Sequence, residues 1–221
     1  MENWVCRTVA ALLLGIAMTG AVGEEIAPLP IAAQPPAKFG VLAFRPKPET
    51  AAHWQPLIDY LNKTHPGHPV SLVVLTYPEL AEAVKNKQID FVLTQPVHYI
   101  KLAQENDLLS PLATLVERDG DKMVATFGGV ILTRSDRIDI QRLSDLRGKR
   151  IATGIVASLG GYLMQAYEAH QIGVELPRDA QIIETGEPQD KAVEALLAGR
   201  ADVAFVRTGV IEGMQRENKL D

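Results

Sequence analysis

From Phe39 onward, short apolar runs alternate with amphipathic stretches, and no other feature restricts the fold of this chain so strongly. Phe39–Phe44 (FGVLAF), Val70–Leu75, Asp90–Thr94, Pro111–Val116, Met123–Thr133, Arg150–Thr153, Gln181–Glu184 and Ala201–Val206 read as strands, because most are too short for a helix and rich in Val, Ile, Leu or Phe. Helices are expected between them. The first runs to about Lys63 with Trp54, Leu57, Ile58 and Leu61 on one face; the second has Pro78 at its first position and runs through Asn86. Further helices are read at Val97–Glu105, Gly161–His170, Gln189–Ala198 and Gly209–Glu217, with a short helix and turn at Leu143–Gly148. Strand–helix units of this kind build mostly parallel sheets flanked by helices. The pattern restarts after Gly120. The fold class is therefore α/β, in two lobes at residues 39–120 and 121–221.

The 38 residues before this pattern read differently. Arg7 precedes the apolar stretch Val9–Met18, and Ala21, Val22 and Gly23 offer a small-residue cleavage site before Glu24. Residues 1–23 are read as a signal peptide, because the apolar run is too short to cross ~30 Å of hydrocarbon. An uncleaved anchor is the alternative. Pro28, Pro30, Pro35 and Pro36 make residues 24–38 an extended linker. Export places the remainder in the periplasm. Cys6 is the only cysteine and falls in the signal, so the mature chain is expected to lack disulfides and cysteine metal sites.

The net charge of -5 is spread along the chain without a basic run, and aromatic residues are only 5%. Both argue against a nucleic-acid partner. The five histidines, His53, His65, His68, His98 and His170, form no metal pattern. Ser158 lacks a G-x-S-x-G setting, and no acid–base pair stands out. Neither a catalytic set, a metal nor a cofactor is expected, and the chain is not read as an enzyme.

In open parallel sheets, ligands bind beyond the carboxyl ends of the strands. The candidates in the first lobe are Arg45, Tyr77, Gln95, His98 and Tyr99. In the second they are Ser158, Gly160, Gly161, Arg207 and Thr208. The segment Gly154–Gly161 precedes a helix, where backbone N–H groups favour an anion and the glycines permit close approach. A plain strand–helix turn is the alternative. Arg207 directly follows Ala204-Phe205-Val206 and can fork onto a carboxylate, sulfonate or phosphate; the alternative pairs it with Glu212 or Glu184. His98 reads equally as a hydrogen-bonded structural histidine, and Tyr99 as core.

These segments together resemble the phosphate/phosphite/phosphonate-type periplasmic solute-binding family, within the type 2 periplasmic binding fold. The matching stretches are FGVLAFRPKPE at 39–49, IDFVLTQPVHYI at 89–100, LSDLRGKRIATG at 143–154, the serine–glycine turn at 158–161 and LLAGRADVAFVRTGVIE at 196–212. Transport members of the family usually carry an acid near the end of the last strand for an aminoalkyl phosphonate's amine. Here that strand runs into Arg207, a variant that looks like the sensor domains of two-component histidine kinases, tetrathionate-type sensors included. The resemblance implies a small anionic ligand (phosphonate, sulfonate, sulfur oxyanion or carboxylate) and a membrane partner, either a histidine kinase or an ABC permease. It also implies a return segment to the first lobe after residues 207–217, so a chain shortened at its C-terminus is expected.

Overall fold

The computed structural model describes residues 35–119 and 121–220. The expected signal peptide and most of the proline-rich linker lie outside the described residues. Strand β1 (Ala37–Leu42) starts inside the segment read as linker. With β2 (Val70–Leu75) and β3 (Phe91–Leu93) it forms a parallel sheet in the order β2-β1-β3. Each strand is followed by a helix: α1 (Lys47–Thr64), α2 (Tyr77–Lys85) and α3 (Pro96–Glu105). Prolines open all three, where a missing N–H costs no helical bond. Of the face expected on α1, Ile58 is buried, Trp54 and Leu61 are half-buried and Leu57 is exposed.

The crossing to the second lobe carries a small antiparallel hairpin, β4 (Glu117–Asp119) and β5 (Lys122–Val124). The second sheet contains β6 (Gly129–Thr133), β7 (Arg150–Thr153), β8 (Gln181–Glu184) and β9 (Val203–Arg207) in the order β6-β9-β7-β8. Only β6 runs antiparallel to its neighbour. Helices α4 (Met164–Gln171), α5 (Asp190–Leu197) and α6 (Val210–Arg216) complete this lobe.

Strand β9 organises the second core. Alternate side chains leave a strand on opposite faces, and both faces of β9 are covered. Ala204 and Val206 pack with Ala192, Val193, Leu196 and Met214 on the side of α5 and α6. Val203 and Phe205 pack with Leu146, Ile151, Tyr162, Ala169 and Val174 on the other. Burial on two faces is why the sequence here is an unbroken apolar run. Asp202, just before the strand, fixes its register. It accepts from the Arg150 backbone N–H and from both Nε and Nη2 of Arg150, each at 3.0 Å, and from Arg137 Nη1 at 2.7 Å. Hydrogen bonds from Arg150, ahead of the opposing cost of burial, hold the Asp202 carboxyl far below its usual range.

Two expected strands come out differently. Pro111–Val116 joins no sheet among the described residues, and Leu112, Leu115 and Val116 are exposed. Met123–Thr133 is divided: its first residues belong to the hairpin and its last five to the sheet.

Phe205 is fully buried at the centre of the second core. Truncating it removes its packing and leaves a cavity. Phe205→Ala is expected to lower unfolding free energy by ~3–5 kcal/mol, measured as a shift in the urea midpoint.

Candidate functional site

Strand order picks out where the site should form. In the first sheet the chain leaves β1 toward β2 on one side and returns as β3 on the other. In the second it leaves β7 toward β8 and returns as β9. The helices diverge at each reversal, which opens a crevice beyond the carboxyl ends of the strands. Gln95 follows β3, the segment Gly154–Ser158 follows β7, and Arg207 closes β9. These switch points meet: Gln95 Nε2 donates to the Ala157 carbonyl at 3.4 Å, across the two lobes.

From the first lobe the crevice receives Tyr77, Gln95 and His98. Gln95 caps α3, its Oε1 accepting from Val97 N–H at 3.1 Å. This leaves its amide N–H groups free to reach Ala157. His98 is buried, and its Nδ1 shares a hydrogen bond with Thr94 Oγ1 at 2.8 Å. Burial, then the charge of Lys101, lowers its pKa, which keeps the ring neutral at neutral pH. Tyr77 lies on that ring with centroids 4.8 Å apart. The tyrosine hydroxyl sits beside Gln95 and Ser158, yet it makes no well-formed hydrogen bond although it is buried. Burial, and then the charge of Glu187, pushes it well above its usual range, so it stays a neutral donor.

The second lobe contributes Ser158, Glu187, Gln189 and Arg207. Ser158 Oγ accepts from Gly161 N–H at 3.1 Å and from Gln189 Nε2 at 3.3 Å. It opens a wide π turn, Leu159–Leu163, that runs straight into α4. The backbone N–H groups of Tyr162 and Leu163 both reach the Ser158 carbonyl. Gln189 spans the lobe, for its Oε1 also accepts from the Arg207 backbone N–H at 2.9 Å. The Glu187 carboxyl lies over Gly154, and its Oε1 is buried without a partner among the described residues. Burial raises its pKa to about 7, against the opposing influence of Arg207, Gln189, Arg45 and Lys191. Arg207 is half-buried, and among the described residues its guanidinium enters no salt bridge, so the pairing with Glu212 or Glu184 does not form. A buried polar atom left unpaired costs about 1–3 kcal/mol; Tyr77 and Glu187 bring two such atoms to one place.

Several of the sequence candidates have other work. Arg45 is committed to Asp190 at 2.7 Å and Glu217 at 3.4 Å, which makes it a clasp between lobes instead of a free anion donor. Lys219 joins the same carboxylate at 2.9 Å. Burial pushes Asp190 up, but Lys219 and Arg45 outweigh it and hold the carboxyl below its usual range. The Tyr99 hydroxyl donates to the Leu109 carbonyl at 3.2 Å and thereby leaves the crevice set. Thr208 is exposed and pins the end of β9, its Oγ1 accepting from Gly128 N–H at 3.1 Å. Gly160 and Gly161 stand in the turn for want of room. A Cβ on Gly160 would fall 2.8 Å from Arg207 Cβ, and one on Gly161 2.9 Å from both Ser158 Oγ and Gln189 Nε2. The Gly161 N–H, expected to face an anion, is already spent on Ser158. Glu187 and Gln189 are not among the sequence candidates; both lie in the loop between β8 and α5, where Gln189 immediately precedes the helix.

A cavity of about 210 Å³ reaches Tyr77, His98 and Ala157 and continues between α2 and α3 along Ala81, Val97 and Leu102. A larger depression of about 510 Å³, lined by Ala81, Glu82, Lys85, Glu105 and Asn106, lies on the flank of those helices, away from the converging polar groups. The smaller one is the one that touches the crevice.

Two α/β lobes meeting at their strand ends, with polar groups from both sides, define a solute-binding protein of the type 2 periplasmic fold. The chain belongs to the family described as ABC transporter, phosphonate, periplasmic substrate-binding protein, whose model matches residues 39–221. It is 31% identical over 183 residues to the tetrathionate sensor histidine kinase TtrS of Salmonella typhimurium, covering 83% of this chain and 31% of that protein. Among solved structures it is similar to PhnD1 from Prochlorococcus marinus in complex with methylphosphonate, with a TM-score of 0.65 and 19% identity, covering 83% of this chain and 67% of that one. It is also similar to a binding protein component of an ABC phosphonate transporter from Pseudomonas aeruginosa, with a TM-score of 0.62 and 16% identity, covering 83% of this chain and 59% of that one. The chain thus spans about a third of the curated relative. Membership of this family places the binding domain outside the cytoplasm.

Gln189 joins Ser158 to the backbone of Arg207 with a single buried amide. Gln189→Ala is expected to cost ~1–3 kcal/mol of stability, read by urea unfolding, because it orphans Arg207 N–H and loosens Ser158.

Proposed function

We propose that this chain captures a small oxyanion between its lobes and acts as the sensory domain of a two-component system, reporting to a membrane histidine kinase. The observation that carries the anion reading is Arg207. Among the described residues its half-buried guanidinium, at the end of a central strand, enters no salt bridge, and the opposite lobe brings the buried, unpartnered Tyr77 hydroxyl beside Ser158, which Gln189 ties to the Arg207 backbone. Both are donors, and neither has an acceptor of its own. Ser158, Gln95 and Gln189 supply further polar contacts, and His98 holds the tyrosine ring in place. Phosphonates, sulfonates, sulfur oxyanions and carboxylates all match that donor set. The 31% identity to a sensor kinase supports the sensory role. A second reading, the substrate-binding component of a phosphonate- or phosphate-type ABC transporter, is favoured by the family's own description. In either role, residues 1–23 act as the export signal and the lobes at 39–120 and 121–221 hinge near Val116–Met123.

Capture works by closure. The Gln95 contact to Ala157 and the Arg45 clasp on Asp190 and Glu217 exist only while the lobes are together. A ligand touching both lobes adds to them and shifts the population toward the closed form. No covalent bond is made or broken in this cycle.

Calorimetric titration of methylphosphonate, methanesulfonate, sulfate, tetrathionate and acetate tests the reading. Arg207→Ala is expected to lose ~1.5–3 kcal/mol of binding, at least about tenfold in affinity; an unchanged affinity removes Arg207 from the site. Arg45→Ala should weaken every anion by a similar factor, on the order of fivefold, and leave their order unchanged, because it touches closure and not the ligand. A deletion strain separates the two roles: lost solute-dependent transcription marks a sensor, and lost uptake a transporter.

A further inference from the structure

Glu187 is out of place in a crevice built to receive an anion. Its Oε1 is buried without a partner, above Gly154 and within range of Tyr77, whose hydroxyl is also unpartnered. An ionised carboxylate there can only accept hydrogen bonds, and it repels an incoming anion across a short, dry gap. The charges around it do not cancel that repulsion. Lys191, on α5, spends its ammonium on the Glu187 backbone carbonyl at 2.7 Å. Arg45, from the first lobe, is committed to Asp190. Tyr77, on α2, stays neutral, as does His98 behind it. Of these cations Arg207, on β9, is the one with no salt bridge among the described residues, and together they do not outweigh the burial of the carboxyl.

We propose that Glu187 and the bound anion share one proton, so that the carboxyl donates its O–H to a fully ionised oxyanion or accepts the O–H of a singly protonated one. This rests on reading the crevice as an anion site, and it makes Glu187 its specificity residue. With one shared proton, Oε1 gains the partner it lacks, Tyr77 and Arg207 donate to the remaining anion oxygens, and the crevice carries one negative charge fewer than it would with both groups fully ionised. A permanent anion must then take up a proton from water as it binds, whereas a hydrogen-bearing anion brings its own. Burial already holds the Glu187 proton near neutrality, at about 7, in the free protein, and an adjacent anion raises it further. The sign follows. Below that range Glu187 is protonated beforehand and permanent anions bind without cost; above it, their affinity falls as pH rises.

The test is calorimetric titration of the full chain with methanesulfonate and tetrathionate, which carry no proton to give, and with methylphosphonate for comparison. Titrations at about pH 8 in buffers of different ionisation heat count the protons exchanged. The expected result is uptake of about one proton per permanent anion, with affinity falling up to about tenfold per pH unit above neutrality. Glu187→Gln should abolish the uptake, flatten the pH dependence and still bind. Its thermal midpoint should equal or exceed that of the parent at about pH 8, where the parent's buried carboxyl is ionised. Binding of permanent anions by the parent without proton uptake overturns the proposal, whatever the variant does. If none of the anions binds the parent at any pH, the anion reading itself fails, which is a different result from binding without uptake.

Discussion

The second half of the crevice depends on one buried amide. Gln189 accepts from the backbone of Arg207 with one end and donates to Ser158 with the other. That side chain sets the spacing between the end of β9, the start of α5 and the π turn before α4. The glycines of the turn follow from the same constraint, since Gly160 lets the turn approach Arg207 Cβ and Gly161 leaves room for the Gln189 amide itself. Gln165 secures the turn from beneath, its Nε2 reaching the carbonyls of Gly160 and Val206 at 2.7 and 2.9 Å. A binding surface made this way is set before any solute arrives, which limits the ordering that capture requires.

Among the described residues, the hydrogen bonds and ion pairs between the lobes are few. An ion-pair network of Arg45, Asp190, Lys219 and Glu217 sits on one side, and a long hydrogen bond from Gln95 to Ala157 on the other. Partly exposed ion pairs contribute little individually and weaken with salt. This suits the proposed closure, because a large apolar seam would lock the lobes. Each lobe instead keeps its apolar burial within its own layers, most clearly on both faces of β9.

The charges are divided by position. Asp202 and its arginine partners lie at the amino end of β9, where they fix strand register, while Arg207 stands at the carboxyl end with no salt bridge among the described residues. One strand thus carries a satisfied acid at one end and an unsatisfied base at the other. Glu187 complicates the second end. Its burial sets an acid of intermediate strength beside the base.

The alternation of apolar runs and amphipathic stretches was enough to determine an α/β chain with two lobes. Nearly every strand and helix falls where its period and its prolines put it, because those are local preferences reinforced by burial. Pro111–Val116 departs from that rule, since a strand is completed by a neighbour that its own residues do not encode. For the site, the rule of strand ends led to Tyr77, Gln95, Ser158 and Arg207, which the fold brings toward one crevice, but it did not reach Glu187 and Gln189, farther along the loop after β8. What tertiary structure alone decided is which polar groups are already spoken for. Arg45 looked like an anion donor until its partner arrived from residue 190, and the Gly161 N–H until Ser158 took it. Pairing of that kind depends on distances between residues far apart in the chain, so it is invisible along one dimension and fixed only when the two lobes meet.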